Sequence, residues 1–88
     1  MGEVLVTFKI LPADENTDLD MISDSIKTGL SDICKIVDIK ESEIGYGLKA
    51  VNLKIIIPDE EGKIGSVEEK LQAINGVGQV DTEEVTLT

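Results

Sequence analysis

From Glu3 to Leu11 apolar and polar residues alternate, with Val4, Val6, Phe8 and Ile10 on one side and Glu3, Thr7 and Lys9 on the other. A period of two predicts a strand with one buried face. Pro12 ends it, and Asp14-Glu15-Asn16 is turn material. Leu19, Ile22, Ile26 and Leu30 then recur at helical spacing, predicting a helix over residues 18–28. Thr17 is its expected N-cap, Asp20 completes a weak capping box, and Gly29 is the expected stop.

Residues 33–42 read as a second strand. Lys35, Asp38, Lys40 and Glu41 along it suit a sheet edge, where charge discourages strand-to-strand aggregation. Ile44-Gly45-Tyr46-Gly47-Leu48 predicts a loop or hairpin into a third strand, whose buried stripe is Val51, Leu53, Ile55 and Ile57. Pro58-Asp59-Glu60-Glu61-Gly62 predicts a turn. Ser66 with Glu69 makes a good capping box, and Val67, Leu71 and Ile74 carry a second helix to Gly76. A polar strand over residues 79–87 comes last.

The order β-α-β-β-α-β is the signature of an α+β, ferredoxin-like two-layer sandwich: a four-stranded antiparallel sheet with two helices on one face. Right-handed crossovers place the first and third strands at its centre, and these are the two most apolar. The second face is left to solvent or a partner. The chain of 88 residues is expected to form one domain, residues 1–88.

Composition narrows the chemistry. With no His and no Arg, histidine catalysis, histidine metal sites and arginine clamps on phosphate are excluded. The single cysteine, Cys34, excludes an internal disulfide and a Cys-x-x-Cys site, and points to a reducing compartment. The longest apolar runs, such as Ile55-Ile56-Ile57, are strand-sized, and Met-Gly-Glu opens no signal peptide. A cytoplasmic location is expected. A net charge of −10 repels nucleic acid and anionic membranes, and would attract a basic protein surface. It equally serves plain solubility.

Activities hosted by this fold can be tested against residues. An acylphosphatase-type enzyme lacks its arginine, and a metallochaperone its cysteine pair. An RNA-recognition domain lacks basic charge and sheet aromatics, since only Phe8 and Tyr46 are aromatic. A regulatory ligand-binding module of ACT type stays open as an alternative. Gly45-Tyr46-Gly47 reads two ways: an exposed tyrosine anchoring an interface, or a ring packed over the sheet end beside two bending glycines. The adjacent acids Asp14-Glu15, Glu60-Glu61, Glu68-Glu69 and Glu83-Glu84 are expected to be solvated turns and helix starts, because eighteen acids in a short chain produce such pairs freely. Cys34 reads as a small core or edge residue. No nucleophile, base and oxyanion site assemble, so no catalytic residue, cofactor or metal is expected.

Two segments carry a resemblance. Pro12-Ala13-Asp14-Glu15-Asn16-Thr17-Asp18-Leu19 resembles the Pro-x-Asp-acidic-x-Thr-Asp segment of the translation elongation factor 1-beta family, and Ile44-Gly45-Tyr46-Gly47-Leu48-Lys49 its Gly-aromatic-Gly-aliphatic-Lys hairpin. Asp59-Glu60-Glu61 and Val67-Glu68-Glu69-Lys70-Leu71 also fall at family-like places. The likeness runs through the chain in order, and its length is similar to the archaeal branch, which consists of the exchange domain alone. The resemblance implies exchange of GDP for GTP on elongation factor 1-alpha, by tight binding of the nucleotide-free GTPase and without enzymatic chemistry. It implies a partner surface at Gly45, Tyr46, Gly47 and Lys49. The free protein is expected to be a monomer without direct nucleic-acid or membrane contacts. Eukaryotic members place a lysine next to the C-terminus, near the partner's magnesium site; this chain has no lysine after Lys70. The end of the last strand is expected to approach that site still, with Glu83 or Glu84 competing for the ion; the simpler alternative is that exchange relies on distortion of the partner through Tyr46 and its neighbours.

Overall fold

The computed structural model describes residues 2–14, 16–45 and 47–87. It contains β1 (Glu3–Pro12), α1 (Leu19–Leu30), β2 (Lys35–Gly45), β3 (Leu48–Pro58), α2 (Lys63–Gln72) and β4 (Val77–Leu87) in chain order. The strands form one antiparallel sheet ordered β2-β3-β1-β4. The expected ferredoxin-like topology is therefore the observed one, with β1 and β3 at the centre.

Register explains why. Val4, Val6, Phe8 and Ile10 lie opposite Ile57, Ile55, Leu53 and Val51, so both apolar stripes fall on one face. Leu19, Ile22, Ile26 and Leu30 of α1 and Val67 and Leu71 of α2 close over that face to make one core. Burying each large aliphatic or aromatic side chain fully stabilises the fold by roughly 1.5–3 kcal/mol, more than helix propensity alone could supply. The second face carries Lys35, Ile56, Leu5 and Thr86 in one row across the sheet, and Lys40, Asn52, Lys9 and Asp81 in another. Phe8 is wholly buried on the helix side, so that open face has no described aromatic on which a base could stack.

Several boundaries differ from expectation, each for a visible reason. The N-cap of α1 is Asp18, not Thr17: Asp18 Oδ1 accepts from the Asp20 N–H at 2.9 Å, while the Thr17 hydroxyl donates to Asp14 Oδ1 at 3.2 Å. Gly29 does not stop α1, which continues to the buried Leu30, whose carbonyl accepts the Ile33 and Cys34 N–H groups at 3.0 Å each. That turn delays β2 to Lys35, and tight hairpin pairing of Gly45 with Leu48 extends it past Ser42.

The Ser66–Glu69 capping box does not form. α2 starts at Lys63 behind Gly62, whose φ of 82° is left-handed, and the Ser66 N–H already donates to the Gly62 carbonyl at 3.0 Å. Starting earlier brings Ile64 against the core, three residues before Val67 on the same helix face. α2 then ends at Gln72 rather than Gly76, and β4 begins at Val77.

Candidate partner-binding site

The β2–β3 hairpin turns through Gly45 and Gly47, with φ values of 111° and 76°. Side-chain-bearing residues rarely adopt such angles, so the two glycines permit the tight reversal. Ile44 and Leu48 beside the tip stay 39% and 37% exposed, leaving apolar surface at the end of the molecule. Tyr46 lies outside the described residues.

Facing the hairpin is the loop from β1 into α1. Asp14 organises it: its Oδ1 accepts from the Asn16 N–H at 2.8 Å, and its carbonyl accepts from the Thr17 N–H at 3.3 Å. Between loop and hairpin runs an open cleft of about 320 Å³. Pro12, Thr17, Asp18, Leu19 and Asp20 form one wall; Gly47, Leu48 and Lys49, with Glu41 of β2, form the other. Thus the structure brings Gly47 and Lys49 to the same cleft as the Pro12–Leu19 segment. Gly45 closes the turn at the hairpin tip, paired with Leu48, and does not line the cleft.

The electrostatics of the cleft are acidic. Hydrogen bonding with the Asp20 carboxyl holds Glu41 above the ordinary carboxylate range, assisted by lost solvation and by the charges of Asp20 and Asp18. Lys49 opposes this and lowers it. The groove continues past the shared residues Asp20 and Glu41 to Asp24, Lys27 and Ile39. Among the described residues no group of three or more His, Cys, Asp or Glu side chains is arranged to hold a metal ion. Nor is any described polar or charged residue buried in the core. Such a site can bind a partner surface and hold charge against it.

The remaining candidates lie elsewhere. Glu84 pairs with Thr7 midway along the edge strand β4 and accepts from the Thr86 hydroxyl at 3.2 Å, while Glu83 is the extra residue at a register shift between Thr7 and Phe8. From Glu84 the path to Lys49 crosses two strands and runs five residues, about 17 Å, along β3, so neither glutamate belongs to the cleft. Cys34 is half-buried against the core, its thiol 3.4 Å from the Leu30 carbonyl, and burial pushes its pKa up. Asp20 and Glu41 escape sequence reasoning, which reads them as a capping residue and an edge charge. One signal was available: Glu41 shares strand parity with the helix-facing Ile39, so it points toward the start of α1.

Residues 5–87 match the family model described as the EF-1 guanine nucleotide exchange domain. This chain belongs to that family. Among curated relatives, elongation factor 1-beta of Thermoplasma acidophilum is 46% identical over 87 residues, and that of Thermoplasma volcanium 41% over 87, each alignment covering 99% of both chains. The elongation factor 1-beta of Natronomonas pharaonis is 34% identical over 97% of both. The exchange-domain match spans both walls of the cleft. Among solved structures, the ACT domain from GTP pyrophosphokinase of Chlorobium tepidum superposes with a TM-score of 0.66, covering 92% of this chain and 99% of that one. At 22% identity that likeness is one of fold alone.

Proposed function

We propose that this protein promotes exchange of GDP for GTP on elongation factor 1-alpha during translation elongation, acting by protein–protein binding and not by enzymatic chemistry. The observation that carries the reading is that Pro12, Thr17, Asp18 and Leu19 face Gly47, Leu48 and Lys49 across one cleft in an exchange-domain chain. Gly45, Tyr46, Gly47 and Lys49 form the partner-binding hairpin, with Tyr46 as its anchor. A tyrosine offers large contact area and a hydroxyl at small entropic cost.

The physical task is to loosen the magnesium ion and the phosphate-binding loop that hold the β-phosphate in the GTPase. An exchanger that binds the empty GTPase most tightly lowers the barrier to GDP loss. By linkage, nucleotide must weaken the exchanger's grip by the same factor. In this reading Glu83 and Glu84, across the sheet from the hairpin, meet a different part of the GTPase, near its magnesium site. The 88 residues act as one domain, monomeric when free. No described helix is long and apolar enough to cross a membrane, and work in the cytoplasm fits the reading. For the ACT-type alternative the support is the shared fold only.

A retention assay tests this. Immobilised protein is expected to hold nucleotide-free elongation factor 1-alpha and to release it on addition of GDP and magnesium. Retention that ignores nucleotide, or none at all, contradicts the exchange reading.

A further inference from the structure

We propose that Gly78, together with the Gly76 carbonyl, is a positioning element for the cleft: it sets where the wall of Pro12, Thr17 and Asp18 stands relative to the hairpin. The inference rests on the exchange reading for its functional consequence. Gly78 is the extra residue where the β1–β4 register slips, since Leu11 pairs with Gln79 but Pro12 with Val77. A Cβ built there would lie 2.7 Å from the Pro12 carbonyl oxygen, 2.8 Å from Ala13 Cα and 3.0 Å from the Pro12 carbonyl carbon. All three are backbone atoms, so no side-chain rotation relieves the clash. Either the strand start or the Pro12–Ala13 backbone must move.

Two further contacts bind the same loop to this turn. The Ala13 N–H donates to the Gly76 carbonyl at 2.8 Å. Gly76, at φ 97°, leaves only a van der Waals gap for Thr17, whose Cγ2 would lie 2.9 Å from a Cβ at that position. Thr17 is tied in turn to Asp14, whose N–H donates to Thr17 Oγ1 at 3.3 Å. The loop is therefore a self-bonded unit seated on Gly76–Gly78 by one side, while Pro12, Thr17 and Asp18 present its other side to the cleft. Displacing the seat displaces the wall.

The test compares Gly78→Ala with Ile57→Val, a core change at the far end of β3 that lowers stability without touching the seat. Both are assayed well below their melting temperatures for accelerated release of a fluorescent GDP analogue from elongation factor 1-alpha. Gly78→Ala is expected to melt cooperatively, to shift the backbone amide resonances of residues 13, 14 and 16–18, and to lose about tenfold or more in exchange; small misplacements of a binding constellation cost that much. Ile57→Val should exchange like the wild type. Equal exchange by the two variants overturns the proposal. If wild-type protein gives no acceleration, the exchange reading falls instead, and the amide shifts still decide whether Gly78 places the loop. Should Gly78→Ala not fold, hydrogen exchange in the wild type decides: an Ala13 amide protected like the centre of β1 supports the seat, and one exchanging like an open loop overturns it.

Discussion

Glu41 and Asp20 meet across the cleft, and at neutral pH their carboxylates repel. Because the partner carboxyl raises the Glu41 pKa in the folded state, protonation favours folding. The stability this contributes is fully present below the ordinary carboxylate range and is lost as pH rises through the raised value. Glu41→Gln should therefore melt higher than the wild type at neutral pH, with the advantage vanishing on acidification; thermal melts across the pH range check this. An unchanged or lower melting temperature at neutral pH contradicts it. Strand parity with Ile39 turns Glu41 toward α1, but its meeting with Asp20 is fixed only when α1 packs on the sheet. Tyr46 was legible at this scale as a chemical anomaly, the single tyrosine between two glycines, and family membership gives it its proposed role.

At the scale of elements, alternation and helical spacing made β1, α1, β3 and α2 legible, because the apolar residues that set each period also form the core; β2 and β4 were legible as charged and polar strands at the sheet edges. Their ends were less legible, because caps compete with burial. Thr17 has the right chemistry for an N-cap but is engaged by Asp14, which leaves the task to Asp18. Ser66 has the right spacing to Glu69, yet burial of Ile64 starts α2 earlier. These assignments separate cleanly by mutation. Asp18→Ala should destabilise by about 1 kcal/mol, the usual loss for an N-cap. Ser66→Ala should stay within about 0.5 kcal/mol of the wild type, as an exposed mid-helix change does. Denaturant titrations of the two variants check the pair, and the reverse order contradicts the assignment.

Across the whole molecule, charge is distributed unevenly. By register the open sheet face holds Lys9, Lys35, Lys40 and Lys54, balanced by Glu3, Asp38, Asp81 and Glu84. The acid excess of a chain with net charge −10 is therefore concentrated around the helices, turns and cleft. A basic partner surface is steered to that side. The topology was legible from pattern because period and connection handedness leave few alternatives. The cleft was not, because its width depends on backbone contacts between Gly78 and Pro12–Ala13 that join distant parts of the chain. By register Glu84 also lies two strands across and about 17 Å along the sheet from Lys49, so the two proposed contacts fall on separate regions of the GTPase. The central claim is that the hairpin drives exchange. Its most direct test is release of a fluorescent GDP analogue from elongation factor 1-alpha, with wild-type protein and with Tyr46→Ala. Wild-type protein should accelerate release, and loss of a hot-spot tyrosine worth about 2 kcal/mol should cut that acceleration about 30-fold. Release unaffected by the wild-type protein would contradict the function, and full acceleration by Tyr46→Ala would contradict the site.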